Sequence, residues 1–210
     1  MSKISFVYFD VGGVAIKDFS DTNKWDLMLD KALGIPTALH PSFNNLYDKY
    51  EDDICLGKIA VDDLKTYIKA RLNPSLDISF SMLEYFLDHF DKNDEIWPLI
   101  KLIRKNVRVG LLTDQYPEML TGIIDRGLIP ANIWDVIIDS SVEGVRKPMQ
   151  EIYRIAQDRC LVPAREILFI DNRKKNLDGA KKLGWQTYLY DSSDYDQANI
   201  DLAKFIAQNL

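Results

Sequence analysis

A single carboxylate ends the first apolar run of the chain, and two glycines follow it almost at once. Residues 6–9 read FVYF, and after them come Asp10, Val11, Gly12 and Gly13. A carboxylate can attack phosphorus or carbon and form a covalent intermediate, and a glycine turn lets backbone N–H groups approach an anion closely. Asp10 is therefore a candidate nucleophile, although an acid at this place could equally cap a helix.

Three further polar groups follow apolar runs later in the chain, namely Thr113, Lys147 and Asp171. A hydroxyl can bind phosphate oxygens, and an ammonium can neutralise a phosphate and hold a nucleophile. A second carboxylate beside Asp10 is repelled unless a cation lies between the two, and Mg²⁺ prefers such oxygen ligands. Each group alone has an ordinary explanation: a strand-end hydroxyl, a surface lysine before Pro148, or a helix cap. Their order along the chain favours chemistry.

The elements that must position these groups alternate between strand and helix. Apolar runs predict strands at 4–9, 107–112, 136–138, 167–170 and 187–190, and amphipathic periodicity predicts helices at 95–105, 118–126, 151–159, 174–183 and 201–210. This alternation predicts an α/β fold, a Rossmann-like parallel sheet core with helices on both faces. Because parallel strands end at one edge of the sheet, the four polar groups are expected to meet in one pocket.

One long segment breaks the alternation, since residues 18–90 show only helical periodicity, in four apolar stripes. We predict a core domain of residues 1–17 and 91–210 with a four-helix cap domain, 18–90, inserted over the carboxyl ends of the strands. Periodicity favours the core of the helical bundle for the aromatic residues Trp25, Tyr47 and Tyr50, but does not show which of these, or Lys58, faces a pocket. The acidic segment 191–196 predicts a solvated loop.

Composition excludes several classes of function. The chain has 210 residues and a formal net charge of -6, which argues against nucleic acid or an anionic membrane as partner. No apolar run is long enough to cross a bilayer. Cys55 and Cys160 are far apart, so a disulfide scaffold or a cysteine metal site is not expected, and His40 and His89 fit structural roles better than a catalytic dyad. A cytoplasmic protein with a small-molecule partner is expected, and the sequence does not indicate its oligomeric state.

Four ordered motifs resemble those of the haloacid dehalogenase superfamily, in the subfamily with a helical cap after the first motif. They are FDVGGV at Asp10, LLTD at Thr113, VRKP at Lys147 and ILFIDNRKKNLDGAKKLGW at Asp171, and GKIAVDDL (57–64) is similar to a cap segment of that branch. The FDxGxV pattern also resembles a branch of sugar-phosphate phosphatases and of the phosphatase domain of epoxide hydrolases.

The resemblance implies Mg²⁺ as cofactor and an aspartyl-enzyme intermediate. It implies catalytic roles for Asp10, Thr113 and Lys147. It implies substrate binding by Gly12, Thr113, Asp114 and Lys147, and metal binding by Asp10, Gly12 and Asp171. The function expected on this basis is a Mg²⁺-dependent phosphatase of a small phosphorylated metabolite, for example a sugar phosphate, acting through an aspartyl-phosphate.

Three positions depart from the family pattern. Gly12 stands where phosphatases usually carry a general acid, Asp114 where asparagine is common, and Asn172 where a second aspartate is common. Four hypotheses follow from the missing acid: a substrate with an easily departing group, a proton supplied by Asp18 or Asp114, a 2-haloacid dehalogenase, or a relative that binds phosphometabolites without turnover. Asp171 favours a phosphatase over a dehalogenase, because halide displacement presents no phosphate charge for a metal to neutralise.

Overall fold

A five-stranded parallel sheet forms the centre of the protein, in the order β3-β2-β1-β4-β5. The computed structural model describes residues 3–19 and 22–210. The strands are β1 Phe6–Phe9, β2 Arg108–Thr113, β3 Val136–Asp139, β4 Ile167–Asp171 and β5 Gln186–Leu189. All five predicted strands are present, with no end shifted by more than two residues, and the predicted α/β fold is confirmed.

The central strand β1 shows why the first apolar run has no polar alternation. Val7 and Phe9 pack in the apolar cluster on one face of the sheet, whereas Phe6 and Tyr8 pack in the cluster on the other face. A parallel strand covered by helices on both faces must be apolar at every position. The first polar side chain that can follow such a strand is the one at its carboxyl end, which is Asp10.

Helices cover both faces of this sheet. They are α5 Ile96–Arg104, α6 Met119–Asp125, α7 Ser140–Glu143, α8 Gln150–Cys160, α9 Lys174–Lys181 and α10 Tyr195–Asn209. The apolar residues of α5, α6 and α10 belong to one cluster, and those of α8 and α9 belong to the other. Within the described residues, no helix combines the length and apolar character that a membrane crossing requires.

Helices also fill the segment between β1 and α5. They are α1 Lys24–Leu27, extended by a π-helical turn over Met28–Ala32, then α2 His40–Cys55, α3 Leu64–Arg71 and α4 Met82–His89. Their buried apolar residues join the cluster on the β1 face that holds Val7 and Phe9. The division into a core domain (1–17 and 91–210) and a cap domain (18–90) stays a prediction, and residues 1, 2, 20 and 21 within those ranges lie outside the described part.

The start of the final helix differs from the prediction. Helix α10 begins at Tyr195 rather than at residue 201, so the segment 191–196, predicted as a loop, ends inside a helix. The physical reason is a cap, because the Asp194 carboxylate accepts a hydrogen bond from the N–H of Gln197 at 3.1 Å. An aspartate at this position satisfies an N–H group that the first helical turn would otherwise leave unpaired.

Candidate active site

One ammonium group joins the two acids that end neighbouring strands. Asp10 follows β1, and Asp171 ends β4, which pairs with β1. The Nζ atom of Lys147 lies 2.8 Å from Asp10 Oδ2 and 2.8 Å from Asp171 Oδ2, and it also donates to the carbonyl of Leu112 at 3.2 Å. The structure therefore brings Asp10, Lys147 and Asp171 together, as the strand-end argument predicts.

The group is shielded from water and carries a surplus negative charge. Lys147 and Asp171 are 3% and 0% exposed, and Asp10 is 7% exposed. Asp171 also accepts hydrogen bonds from the N–H of Arg173 at 2.6 Å and from the side-chain amide of Asn176. Asp10 Oδ1 accepts only a local bond among the contacts described, from the N–H of Val11 at 2.8 Å. Two ionised carboxylates against one ammonium leave one uncompensated charge, which an incoming cation would neutralise.

The two carboxyls titrate differently as a result. Burial raises the pKa of Asp10 to about 7, since the attraction of Lys147 is opposed by the charge of Asp171. Burial also acts to raise the pKa of Asp171, but Lys147 and the bonds from Arg173 and Asn176 hold it below its ordinary range. Burial acts to lower the pKa of Lys147, and the neighbouring carboxylates overcome this and raise it. Asp10 is therefore the proton-sensitive member.

A pH dependence of stability follows for the metal-free protein. The pKa of Asp10 is about 7 in the folded state against an ordinary value of 3.8, so between these values the folded state binds more protons than the unfolded state. We expect the free energy of unfolding to fall as pH rises through this interval and to level off above it. Urea unfolding in EDTA, compared with Asp10→Asn, isolates this contribution. An equal slope in both proteins would contradict it, and the exposed Asp178→Asn serves as control.

Thr113 and Asp114 lie at the end of β2 with different surroundings. Thr113 is completely buried, and its Oγ1 accepts a hydrogen bond from the side-chain amide of Gln115 at 3.0 Å, which leaves its O–H to donate elsewhere. Asp114 accepts a bond from the backbone N–H of Lys147 at 3.0 Å and lies 3.5 Å from Nε of Arg146. Asp114 thus ties β2 to the loop that carries Lys147.

The two glycines after Asp10 serve different purposes. Gly13 has a φ of +78°, and a Cβ there would lie 2.1 Å from the side-chain nitrogen of Asn172, so this position requires glycine. At Gly12 a Cβ would meet no atom within 4 Å, because this residue borders open space. The backbone therefore tolerates a side chain at the position where an acid is missing. Asn172 itself donates to Ser192 Oγ at 3.3 Å.

A cavity of about 600 Å³ opens beside these groups. Its sheet side includes Asp10, Gly12, Asp114, Gln115, Lys147 and Asn176, and its other side comes from α1, α2 and α4. Thr113 and Asp171 lie beneath the surface and not in the cavity wall. Trp25 and Tyr47 pack against the apolar cluster, as periodicity favours, and both also line the cavity, which the sequence left open. An aromatic ring is wide enough to pack on a neighbour such as Phe43 with one part and to face a cavity with another.

Two arginines are cavity residues that sequence reasoning missed. Arg146 lines the cavity and reaches from the loop of Lys147 to helix α2, where it contacts Asp52 at 2.7 Å and Glu51 at 3.8 Å. Arg173 lines the cavity two residues after Asp171. Both arginines belong to the motifs already identified. Their closeness in sequence to Lys147 and Asp171 could have indicated that they line the cavity. By contrast, Tyr50 and Lys58 are not cavity residues; Tyr50 packs on Tyr67, and Lys58 pairs with Asp53.

The oxygen atoms at this edge of the sheet match the preferences of Mg²⁺. The described residues include no cluster of three or more histidines, cysteines, aspartates or glutamates suited to a metal. Mg²⁺ commonly uses only one or two carboxylates and takes water and substrate oxygens for the rest. Asp10 and Asp171 supply two carboxylates that share one neighbour, and Asn172 Oδ1 is a buried oxygen without a hydrogen-bond partner among the described residues. The donors present therefore fit this ion.

The sheet order and the acids at its carboxyl edge define a Rossmann-like α/β protein with a pocket suited to chemistry at a carboxylate. The sequence model of the haloacid dehalogenase-like hydrolases matches residues 9–184, which include Asp10, Thr113, Lys147 and Asp171. The chain therefore belongs to this family of hydrolases. No curated protein matches the chain.

Solved structures share the fold across almost the whole chain. A predicted HAD-like family hydrolase from Porphyromonas gingivalis has a TM-score of 0.76 at 22% identity, covering 96% of this chain and 98% of that one. A HAD family enzyme from Bacteroides thetaiotaomicron, in complex with magnesium and inorganic phosphate, has a TM-score of 0.70 at 18% identity, covering 91% and 96%. A 2-haloacid dehalogenase from Pseudomonas syringae pv. Tomato has a TM-score of 0.61 at 17% identity, covering 89% and 86%. These identities show a common fold and leave the reaction open.

Proposed function

We propose that the protein is a Mg²⁺-dependent phosphatase of a small phosphorylated metabolite. The observation that carries the proposal is the Lys147 ammonium held between Asp10 and Asp171 at the edge of a cavity. In this reaction a carboxylate oxygen of Asp10 forms a bond to phosphorus while the bond from phosphorus to the leaving oxygen breaks. Water then attacks the aspartyl-phosphate, which releases inorganic phosphate and regenerates Asp10.

The surrounding residues have separate tasks in this proposal. Lys147 neutralises charge on the phosphoryl group and holds Asp10 in place. Thr113 is buried beneath the cavity wall, and a bond from its hydroxyl to a phosphoryl oxygen stays an expectation from the family resemblance. Asp10, Asp171 and the Gly12 backbone would hold Mg²⁺, which when bound neutralises phosphate charge beside the two carboxylates. Asp114 holds the Lys147 backbone, so its contribution to substrate binding is indirect.

The leaving group departs without an acid at position 12. Both Asp114 oxygens face donors, the Lys147 N–H and Arg146, and this arrangement suits an acceptor rather than a proton donor. Asp18 lines the cavity and is the remaining candidate named by the sequence. General acid catalysis increases the rate by a factor of about 10²–10⁴. Its absence therefore matters most for substrates whose alkoxide is a poor leaving group.

Phosphate release from three substrates tests the proposal. The panel is an aryl phosphate, an anomeric sugar phosphate and a primary-alcohol sugar phosphate, each with Mg²⁺. We expect turnover of the first two and slow turnover of the third. Equal rates for all three would mean that another group donates the proton, and Asp18→Asn is then the next variant. A folded protein that is silent across the panel would contradict the phosphatase proposal.

A dehalogenase is the alternative that a solved relative keeps open. The dehalogenation of a 2-haloacid requires cations for the substrate carboxylate. Among the described residues, three cationic side chains line the cavity against six carboxylates, those of Asp10, Asp18, Asp26, Asp48, Glu51 and Asp114. Without a metal ion this charge balance disfavours any anionic substrate, a haloacid included, whereas in the proposed phosphatase Mg²⁺ would neutralise part of the phosphate charge. Halide release from 2-haloacids in EDTA would establish the alternative. Stabilisation by phosphate esters without any release of phosphate would instead indicate a binding protein.

A side chain at position 12 can restore the missing acid. The Gly12→Asp variant places a carboxyl where a Cβ meets open space. We expect turnover of the primary-alcohol phosphate to rise about 10²-fold, the lower end of a general acid's contribution, with little change for the aryl phosphate. Gly12→Asn, which has the same shape without an ionisable proton, is the matched control. Equal rates in the two variants would show that the position does not contact the leaving oxygen.

A further inference from the structure

Six aromatic side chains form a connected wall of the cavity. They are Phe19, Trp25, Tyr47, Phe86, Phe90 and Tyr116. Phe86 is central: its ring lies 5.0 Å from that of Phe19, 5.9 Å from that of Tyr116 and 6.3 Å from that of Trp25, centroid to centroid. The hydroxyls of Tyr47 and Tyr116 contact each other, so these polar ends satisfy one another. Phe86 and Phe19 are 3% and 9% exposed and support the wall from behind, so the ring surface available to a ligand belongs mainly to Trp25, Tyr47, Phe90 and Tyr116.

Carboxylates border this wall, and three of them are sequence neighbours of its rings. Asp18 precedes Phe19, Asp26 follows Trp25, and Asp48 follows Tyr47, and all three acids line the cavity. Two of the three cations that line the cavity are already engaged: Lys147 lies between Asp10 and Asp171, and Arg146 lies among Asp114, Glu51 and Asp52. The third, Arg173, lines the cavity with no ion pair among the described contacts. The described lining of the cavity is thus aromatic, and its acids outnumber its cations.

Aromatic faces and carboxylates around one small cavity are the chemistry that holds an organic cation. A ring face attracts a cation through its quadrupole, and quaternary ammonium ligands are bound by groups of such rings. An anionic leaving group would be repelled by the same acids, and a neutral polyol would make no use of their charge. The volume of about 600 Å³ lies within the range of small-molecule sites.

We propose that the substrate is a phosphorylated amino alcohol, whose ammonium group lies against the aromatic wall while its phosphate faces Asp10 and Lys147. This inference rests on the proposed phosphatase function. It also agrees with the missing acid at Gly12, because an ammonium group close to the ester oxygen makes the departing alcohol more acidic. Such a leaving group departs more readily without a proton donor than an ordinary alcohol does.

Three esters of similar size test the inference: phosphocholine, its neutral isostere 3,3-dimethylbutyl phosphate, and the anionic 2-carboxyethyl phosphate. We expect kcat/KM for phosphocholine to exceed that for the neutral ester by about tenfold or more, with the anionic ester slower still. The ratio of the first two should fall as ionic strength rises.

Two effects can raise the ratio of kcat/KM for phosphocholine to that for the neutral ester: recognition of the ammonium group by the cavity, and the greater acidity of the leaving alcohol. Substitutions in the cavity change only the first, so matched variants separate the two. Asp48→Asn should lower the ratio of phosphocholine to neutral ester about threefold, whereas Asp53→Asn, on the same helix and paired with Lys58 outside the cavity, should leave it unchanged. Phe86→Leu should lower the ratio by about fivefold, and Tyr85→Leu should not. Thermal unfolding of each variant checks that the fold is retained.

The outcomes distinguish this inference from the proposed function. Turnover of an aryl phosphate with no preference among the three esters, or a ratio that Asp48→Asn and Phe86→Leu leave unchanged, would overturn the amine inference and keep the phosphatase. No turnover of any ester, the aryl phosphate included, would overturn both. A cationic preference that both cavity variants reduce and both control variants retain would support the inference.

Discussion

Asp10→Asn is expected to reduce phosphate release at least about 10⁴-fold, because the amide cannot form the covalent intermediate. The measurement is single-turnover phosphate release with Mg²⁺ at high protein concentration. Asp139→Asn is the matched control, since Asp139 also ends a strand and is buried, but its carboxylate caps α7 through the N–H of Ser141. Residual turnover within tenfold of the wild type would exclude Asp10 as nucleophile. Mass analysis must accompany the assay, because deamidation of asparagine regenerates aspartate.

The same substitution should leave the fold intact. The pair Lys147–Asp171 is electrically balanced once Asp10 becomes neutral, whereas the wild-type cluster carries a surplus negative charge. We therefore expect the Asp10→Asn protein without metal to be at least as stable as the wild type near neutral pH. A large loss of stability would show that Asp10 is mainly structural, and the loss of activity would then say nothing about a nucleophile.

Lys147→Met is expected to lower the free energy of unfolding of the metal-free protein. Its side chain is 1% exposed and contacts two carboxylates, so removal leaves two buried negative charges side by side. Losing one partner of a buried ion pair costs about 3–5 kcal/mol, and the mutual repulsion of the acids raises their pKa values. The free energy of unfolding should accordingly fall at neutral pH and recover partly as pH falls, because one carboxyl then takes up a proton.

A double variant isolates the electrostatic cause of this loss. Adding Asp10→Asn to Lys147→Met leaves Asp171 with the hydrogen bonds from Arg173 and Asn176 and removes the repulsion. We expect the double variant to be more stable than Lys147→Met alone at pH 7, with a coupling free energy in the range of about 0.5–3 kcal/mol. The exposed Lys174→Met is the control. Additive effects would mean that Lys147 stabilises the fold through its apolar stem instead.

Local patterns in the sequence determined the sheet and the position of the acids within it. The run 6–9 is apolar throughout because β1 is buried on both faces, and this property is visible without coordinates. The next polar residue after such a strand stands at its carboxyl end. The sequence therefore predicted that Asp10 and Asp171 lie at the same edge of the sheet, where β1 pairs with β4. The helix ends were harder to predict, since the start of α10 depends on a single hydrogen bond to the Asp194 carboxylate.

Only the tertiary structure decided what surrounds these acids. Sequence order indicated that Lys147 belongs near them, but its position between both carboxylates depends on the loop held by Asp114. Helical periodicity separates apolar from polar positions, and it does not distinguish a ring that faces a bundle core from one that also faces a cavity. Periodicity therefore favoured the core for Trp25 and Tyr47 and left open whether either faces a pocket, and the structure shows both packed on the core and lining the cavity. The chemistry of the outer wall depends on contacts between segments distant in sequence, and no local pattern encodes it.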